Sequence, residues 1–376
     1  MPARRLRTSA RPTINSVPEL IPSCLDLFSG CGGFAAGFEA AGYRVLAGID
    51  HDQSALKTFA YNFPSSEALN IDLSDEHQMR SHQRDLRNAS IDVVVAGPPC
   101  QGFSLTGPRN FDDPRNRLYL AVFDYVRAIQ PLAFVIENVR GMSSLYGGQV
   151  KDEIVRRFAD LGYATAAKVI CAAEYGVPQL RYRFFIVGTR QDRGAFEFPS
   201  PLHGGTTNRS MITCSEAIDD LPSMDNGDRG VEECEYASKP RSAFQRLMRE
   251  GNPLLYNHVA TKHSELVKSV IRLVPPGGDF RDLPHGIGDH RKFNEAWTRY
   301  HPDRPSHTID TGHRNHFHYR YNRVPTVREN ARLQSFRDRF RFMGTRTQQA
   351  RQVGNAVPPL LAEAIARHLL CWIRPQ

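Results

Sequence analysis

Apolar residues fall along the chain in short runs that end in glycine or an acidic residue, and these runs alternate with stretches at helical spacing. Cys24-Leu25-Asp26-Leu27-Phe28 reads as a short buried strand leading into Ser29-Gly30-Cys31-Gly32-Gly33, and Phe34 to Gly42 is helical in pattern. A second apolar run, Val45 to Ile49, ends at Asp50, and a third strand candidate ends near Asp72. Ile91-Asp92-Val93-Val94-Val95-Ala96 is β-branched and bounded by Gly97-Pro98-Pro99, the pattern of a strand buried on both faces of a parallel sheet. A helix through Leu118–Ile129 and a strand through Leu132–Ile136 follow, and 163–170 with 183–188 extend the series as an antiparallel edge pair. Strands alternating with helices in this way predict an α/β sheet with right-handed crossovers.

From about 197 to 305 the alternation is lost, and proline, glycine, histidine and charged residues accumulate, so a second, smaller lobe is placed there. The pattern returns at the C-terminus, where Pro358-Pro359 precedes Leu361, Ile365, Leu369 and Trp372 at helical spacing. This last helix is expected to pack back on the first lobe. The larger lobe is then discontinuous, formed by 21–196 and completed by 306–376, with 1–20 as a basic disordered arm.

A length of 376 residues suits two lobes, because single cores stop growing at roughly 250–300 residues. The net charge of +8 is unevenly spread: residues 291–351 hold fourteen Lys/Arg against five Asp/Glu, which is +9 and leaves −1 for the remainder. A local excess of this kind points to a polyanion partner. Seven cysteines without any C-x-x-C suggest neither a disulfide framework nor a zinc ribbon, which fits a reducing compartment. No apolar run approaches the roughly 18 residues that span a bilayer, and the basic N-terminus lacks the apolar segment of a signal peptide. The expectation is a soluble, cytoplasmic protein with no membrane partner.

Gly30-x-Gly32-x-x-Ala35 sits between a predicted strand and helix, with Asp50 twenty residues after Gly30. Glycines there permit a tight turn and close approach of a ligand, and an acid at the end of the second strand can accept hydrogen bonds from ribose hydroxyls. This arrangement fits NAD, FAD and S-adenosylmethionine alike, and a structural glycine turn is a further alternative. Asp72 is placed to accept from an adenine amino group, or is an exposed loop aspartate. GPPCQGFS (97–104) follows the buried strand directly, which puts Cys100 at the carboxyl end of a parallel strand, where open α/β sheets bind ligands. The next strand ends in Glu137-Asn138-Val139, near the same mouth. A lone cysteine is usually an inert small hydrophobe and a strand-end glutamate is usually solvated, but together they suggest a nucleophile and an acid.

DLFSGCGGF (26–34), GPPCQGFS (97–104), ENV (137–139), Gln179-x-Arg181-x-Arg183, TVRENARLQSF (326–336) and GNAVPP (354–359) resemble the ordered motif set of cytosine-C5 DNA methyltransferases of the bacterial restriction–modification type. The resemblance spans nearly the whole chain, and 200–303, which the motifs do not cover, falls at that family's variable target-recognition region. It implies a Rossmann-like, S-adenosylmethionine-dependent methyltransferase sheet with a smaller target-recognition domain. It also implies a mechanism, in which Cys100 adds to C6 of a flipped-out cytosine so that C5 can accept a methyl group. Glu137 matches the glutamate at the cytosine N3 edge, and the role calls for a protonated carboxyl in an apolar setting. Arg183 matches the arginine that holds O2 and Arg181 orients the same loop, with a structural salt bridge as the alternative for both. By the same similarity the cofactor pocket takes Phe28, Gly30, Gly32, Asp50, Asp72, Gly97, Pro99, Leu118 and Asn355. Asp50 departs from the family's usual glutamate, Pro325 stands where leucine is usual, Arg337 replaces a common proline, and Asn330 replaces a small residue.

The implied partner is double-stranded DNA, met by a monomer, with a cognate restriction endonuclease as a possible companion. Arg314, Arg320, Arg323, Arg328 and Arg332 are the candidate phosphate contacts, each with a solvated face as its bland alternative. The loop at 101–117 resembles the family's mobile catalytic loop. His313, His316 and His318 lack a carboxylate or cysteine at metal-ligand spacing, so DNA-facing or structural roles are favoured and no metal is expected. Rival readings are a tRNA cytosine-C5 methyltransferase, which has a much reduced recognition region, and a catalytically silent DNA-binding regulator. A nicotinamide dehydrogenase leaves GPPCQGFS and the basic stretch without a purpose.

Overall fold

The computed structural model describes residues 21–86, 90–99, 117–205, 207–224, 230–287, 297–312 and 315–374. The first half alternates as the apolar runs predict: β1 (Ser23–Leu27), α1 (Gly33–Ala40), β2 (Arg44–Asp50), α2 (Gln53–Asn62), β3 (Glu67–Asn70), α3 (Glu76–Asp85), β4 (Val93–Ala96), α4 (Arg117–Ile129), β5 (Ala133–Val139), α5 (Gln149–Asp160), β6 (Tyr163–Cys171) and β7 (Tyr182–Arg190). The seven strands form one sheet in the order β3-β2-β1-β4-β5-β7-β6. β1 to β5 run parallel, while β7 pairs antiparallel with both β5 and β6, which gives the expected antiparallel pair at that edge.

Both faces of the sheet are covered, which explains why its central strand β4 is an uninterrupted apolar run. Along β4, Val93 and Val95 join one buried cluster with Phe34, Phe38 and Leu361, whereas Val94 and Ala96 join another with Val122, Tyr125 and Ile154. Successive side chains therefore serve opposite layers of helix.

The remaining elements are short: α6 (Cys214–Ile218), β8 (Glu233–Glu235), α7 (Ala243–Arg249), β9 (Leu254–Tyr256), α8 (Glu265–Leu273), β10 (Thr298–Arg299), β11 (His316–Phe317), α9 (Val327–Leu333), α10 (Arg346–Asn355) and α11 (Pro359–Ile373). β8 pairs with β9, and β10 pairs with β11, so the described residues of 197–305 give no strand to the large sheet. Its core is nonetheless continuous with the sheet's, since Cys214, Ile218, Met248 and Tyr300 belong to the same cluster as Phe34 and Leu361.

α11 begins with Pro359 at its first turn and buries Leu361, Ile365 and Leu369. A Cβ on Gly37 of α1 would lie 2.5 Å from Ala362 Cβ, so the two helices touch only because position 37 is glycine. The stretch Arg346–Ile373 is long and apolar enough to cross a membrane by length and composition alone. Here it forms the two helices α10 and α11, separated at Ala356-Val357-Pro358, and half of its most apolar window is buried inside the protein.

Candidate active site

The strand order reverses direction between β1 and β4, and a crevice opens there at the carboxyl ends of the strands. A cavity of about 750 Å³ occupies it, lined by Phe28, Gly30, Asp50, Gly97, Pro99, Glu137, Arg181, Arg183 and Asn355 among others. The turn after β1 is built from left-handed residues: Phe28 has φ 56°, Gly30 φ 53° and Gly32 φ 99°. A non-glycine residue held there costs free energy and commonly marks a functional turn. Asp50 braces this turn, because Oδ2 accepts from the Gly30 amide at 2.8 Å and Oδ1 from the Asp52 amide at 2.8 Å.

Three expected cofactor residues are not brought to the cavity wall. Gly32 is needed for packing, since a Cβ there would lie 2.4 Å from the Phe63 ring. Asp72 sits on the surface, where Oδ1 accepts from the amide and hydroxyl of Ser74, and these bonds hold its pKa below the ordinary carboxylate value. Leu118, near the start of α4, is likewise absent from the wall.

At the end of β5, Glu137 is buried and Arg183 Nε lies 2.9 Å from its Oε1. Burial raises the Glu137 pKa, against the lowering effect of Arg183 and then Arg181. A Cβ on Gly97 would come 3.8 Å from Glu137 Oε2, so the glycine after β4 sits directly beside the acid. Asn138 ties the two strand ends together: its Nδ2 donates to Pro98 O at 3.0 Å, fixing the backbone that leads to Cys100. Arg181 is a strut and forms no salt bridge among the described residues. Its guanidinium is fully enclosed and donates to the carbonyls of Ile309, Gly354 and Ala356 at 3.3, 2.9 and 3.3 Å. Gln179 acts similarly, donating to Leu333 O at 3.3 Å and accepting from the Ile309 amide at 3.0 Å. The Gln-x-Arg-x-Arg motif thus contributes two internal ties and one side chain that meets the acid.

Cys100, the loop residues 101–116, His313 and Arg314 lie outside the described residues. The basic stretch departs from the expected DNA-facing arrangement. Arg323, Arg328 and Arg332, expected at DNA phosphates, are buried and bonded inside the protein. Arg323 pairs with Glu329 through two contacts of 2.7 Å. Arg328 donates to Tyr256 O at 2.8 Å and to Arg337 O at 3.2 Å. Arg332 bridges Asp220 and Asp338, each at 2.7 Å. Arg320 is exposed and pairs with Asp219 at 2.9 Å. The histidines nearby are structural: His316 stacks on Tyr300 at 5.5 Å, and His318 accepts at Nδ1 from the Arg320 amide at 2.9 Å.

Several wall residues were not among the expected site residues. Ser29 is buried with no hydrogen-bond partner for its Oγ among the described residues, Thr308 and Asp310 arrive from the segment that follows β10, and Arg351 comes from α10. Arg351 alone had a readable signal, because it precedes Asn355 by four residues and so shares its helix face.

A family model described as C-5 cytosine-specific DNA methylase matches residues 23–371. The Type II methyltransferase M1.HphI of Haemophilus parahaemolyticus is 39% identical over 356 residues, covering 92% of this chain and 86% of that protein. The Type II methyltransferase M.DdeI of Desulfomicrobium norvegicum is 34% identical, covering 92% of this chain and 88% of its own. Among solved structures, a candidate DNA modification methyltransferase encoded within an E. coli prophage superposes with a TM-score of 0.74 at 26% identity, covering 93% of this chain and 99% of that one. The S. pombe Dnmt2 methyltransferase, at 16% identity and a TM-score of 0.57 over 93% of this chain and 98% of its own, shares the fold. With this match along nearly its full length, the chain belongs to the C-5 cytosine-specific DNA methylase family.

Proposed function

We propose that the protein transfers a methyl group from S-adenosylmethionine to C5 of a cytosine within a specific double-stranded DNA sequence, through a covalent bond between Cys100 and C6. The observation that carries this reading is the buried Glu137–Arg183 pair, 2.9 Å apart, at the carboxyl end of β5 and beside the segment leading to Cys100. The crevice also suits the cofactor. Phe28 offers an aromatic face for adenine, Asp50 an acceptor for ribose hydroxyls, and the unpartnered Ser29 Oγ a polar contact on the same wall. When bound, S-adenosylmethionine supplies an electrophilic methyl group.

The chain's own residues must make C5 nucleophilic. Cytosine C5 is a weak nucleophile, so Cys100 as thiolate forms a bond to C6 and pushes the electron pair toward C5. Glu137, which burial disposes to hold a proton, shares that proton with N3 and spreads the developing charge. Arg183 steadies Glu137 and offers its remaining N–H groups to O2. Loss of the C5 proton then expels Cys100. This attack is perpendicular to the ring and requires a base rotated out of the duplex, at a cost of a few kcal/mol.

The likeness to Type II methyltransferases supports a place in a restriction–modification system; action as a monomer on DNA, with a cognate endonuclease as companion, is part of the same proposal. Bisulfite sequencing of DNA from cells expressing the protein tests the activity and reads the recognition sequence together. Protected cytosines at one position of a shared sequence are expected. Absence of any protected consensus would point instead to a silent binder.

A further inference from the structure

The cavity wall carries acids on several sides, Asp50, Asp52, Asp310 and Glu137, and three arginines. Two of the arginines are engaged: Arg183 by Glu137, and Arg181 by three backbone carbonyls. The third, Arg351, is exposed to the cavity and has no ion-pair or hydrogen-bond partner for its guanidinium among the described residues. This is unusual for its region. Arg320, Arg337, Arg339 and Arg341 each pair with an acid, and Arg346 donates to Ala260 O at 3.0 Å.

α10 holds Arg351 in place from both sides. The next residue, Gln352, is buried, accepts from Thr58 Oγ1 at 2.7 Å and donates to Ser54 Oγ at 3.2 Å. Gly354 is pressed against the chain at Asp310, where a Cβ would come within 2.2 Å of its carbonyl oxygen. Asn355 lies one turn beyond Arg351 on the same wall. The helix therefore cannot turn its arginine away from the cavity without breaking these contacts.

We propose that Arg351 binds the carboxylate at the amino-acid end of the cofactor; this rests on the reading that the cavity takes S-adenosylmethionine. The chemistry is that of charge complementarity. The sulfonium and ammonium groups of such a ligand are cations, which the acidic wall suits. Its carboxylate is its one anion and requires a cationic donor when it leaves water. A planar guanidinium meets a carboxylate with two parallel N–H bonds, which an ammonium cannot reproduce.

Isothermal titration of the full chain with two ligands tests this. S-adenosylhomocysteine carries the carboxylate, and 5′-methylthioadenosine keeps the adenosine and thioether but lacks the amino-acid end. Arg351→Gln is expected to weaken S-adenosylhomocysteine about ten-fold or more, as loss of a charge-assisted contact does, while 5′-methylthioadenosine changes by less than about two-fold. Arg351→Lys should recover part of the loss, and the affinity for cofactor-free duplex DNA should match wild type. Equal losses on both ligands, or none on either, would overturn the proposal, as would a loss confined to DNA, which would assign the guanidinium to a phosphate. Failure of wild type to bind either ligand would remove the cofactor reading itself and this inference with it.

Discussion

Glu137 is subject to opposing influences, with burial raising its pKa and Arg183 at 2.9 Å lowering it, and burial prevails. A glutamine in its place keeps an acceptor for Arg183 but cannot give or take the N3 proton. Glu137→Gln should therefore lower kcat by about 10²–10⁴-fold while leaving the melting temperature near that of wild type, as followed by methyl incorporation and thermal unfolding. An unchanged kcat would remove Glu137 from the chemistry. Glu137 and Asp50 were legible in the sequence because each ends an apolar run, and strand ends in such sheets define the binding edge. Gly32 and Asp72 show the limit of that reasoning. A glycine demanded by the Phe63 ring looks the same in sequence as one demanded by a ligand, and an acid after a strand looks the same whether it faces a cavity or caps Ser74. The departure at Asn330 has a local reason, since its Oδ1 accepts from the Tyr300 hydroxyl at 3.2 Å.

α9 shows why elements are harder to read than strand ends. Its arginines, 328 and 332, are four residues apart and share a face, which sequence periodicity renders equally well as a basic DNA-binding face or as a buried one. Of the two acids that hold Arg332, Asp338 is six residues on but Asp220 is 112 residues away in sequence, so no local pattern reveals the buried group as a whole. Removing one member of a buried ionic group leaves the others uncompensated. Arg332→Ala should therefore destabilise the fold by about 3–5 kcal/mol, whereas Arg320→Ala, at an exposed pair, should cost at most about 1 kcal/mol. Denaturant titration of the two variants checks this, and equal effects would contradict the assignment of Arg332 to the interior. The strands were legible for the opposite reason, because a strand covered on both faces is an apolar run that needs no distant partner to be recognised. Between 197 and 305 the described elements span only two to nine residues and bury themselves against the rest of the chain, so no periodicity builds up among them.

For the molecule as a whole, the basic excess of 291–351 is partly internal charge. Arg323, Arg328 and Arg332 neutralise or cap groups inside the fold, and a smaller set of exposed arginines remains to meet a polyanion. The same interior makes stability depend on pH. Burial pushes the His318 pKa down from 6.5 to about 3, with Glu329 opposing, and burial likewise lowers that of His258. Glu329 lies below its ordinary value because Arg323 and His318 outweigh the burial that would raise it. In each case the unfolded chain takes up a proton that the folded chain resists. The stability these three groups contribute is thus complete above about pH 6.5 and is lost as the pH falls through that value toward about 3. Melting temperatures should fall steadily from about pH 7 to about pH 5, and a flat profile would contradict neutral buried histidines. The most direct test of the covalent route uses duplex DNA carrying 5-fluorocytosine at the protected position, incubated with S-adenosylmethionine and the protein, because fluorine at C5 blocks the final elimination. Wild type should give a DNA adduct that survives denaturing electrophoresis and Cys100→Ala should give none; an adduct in both, or in neither, would contradict attack by Cys100.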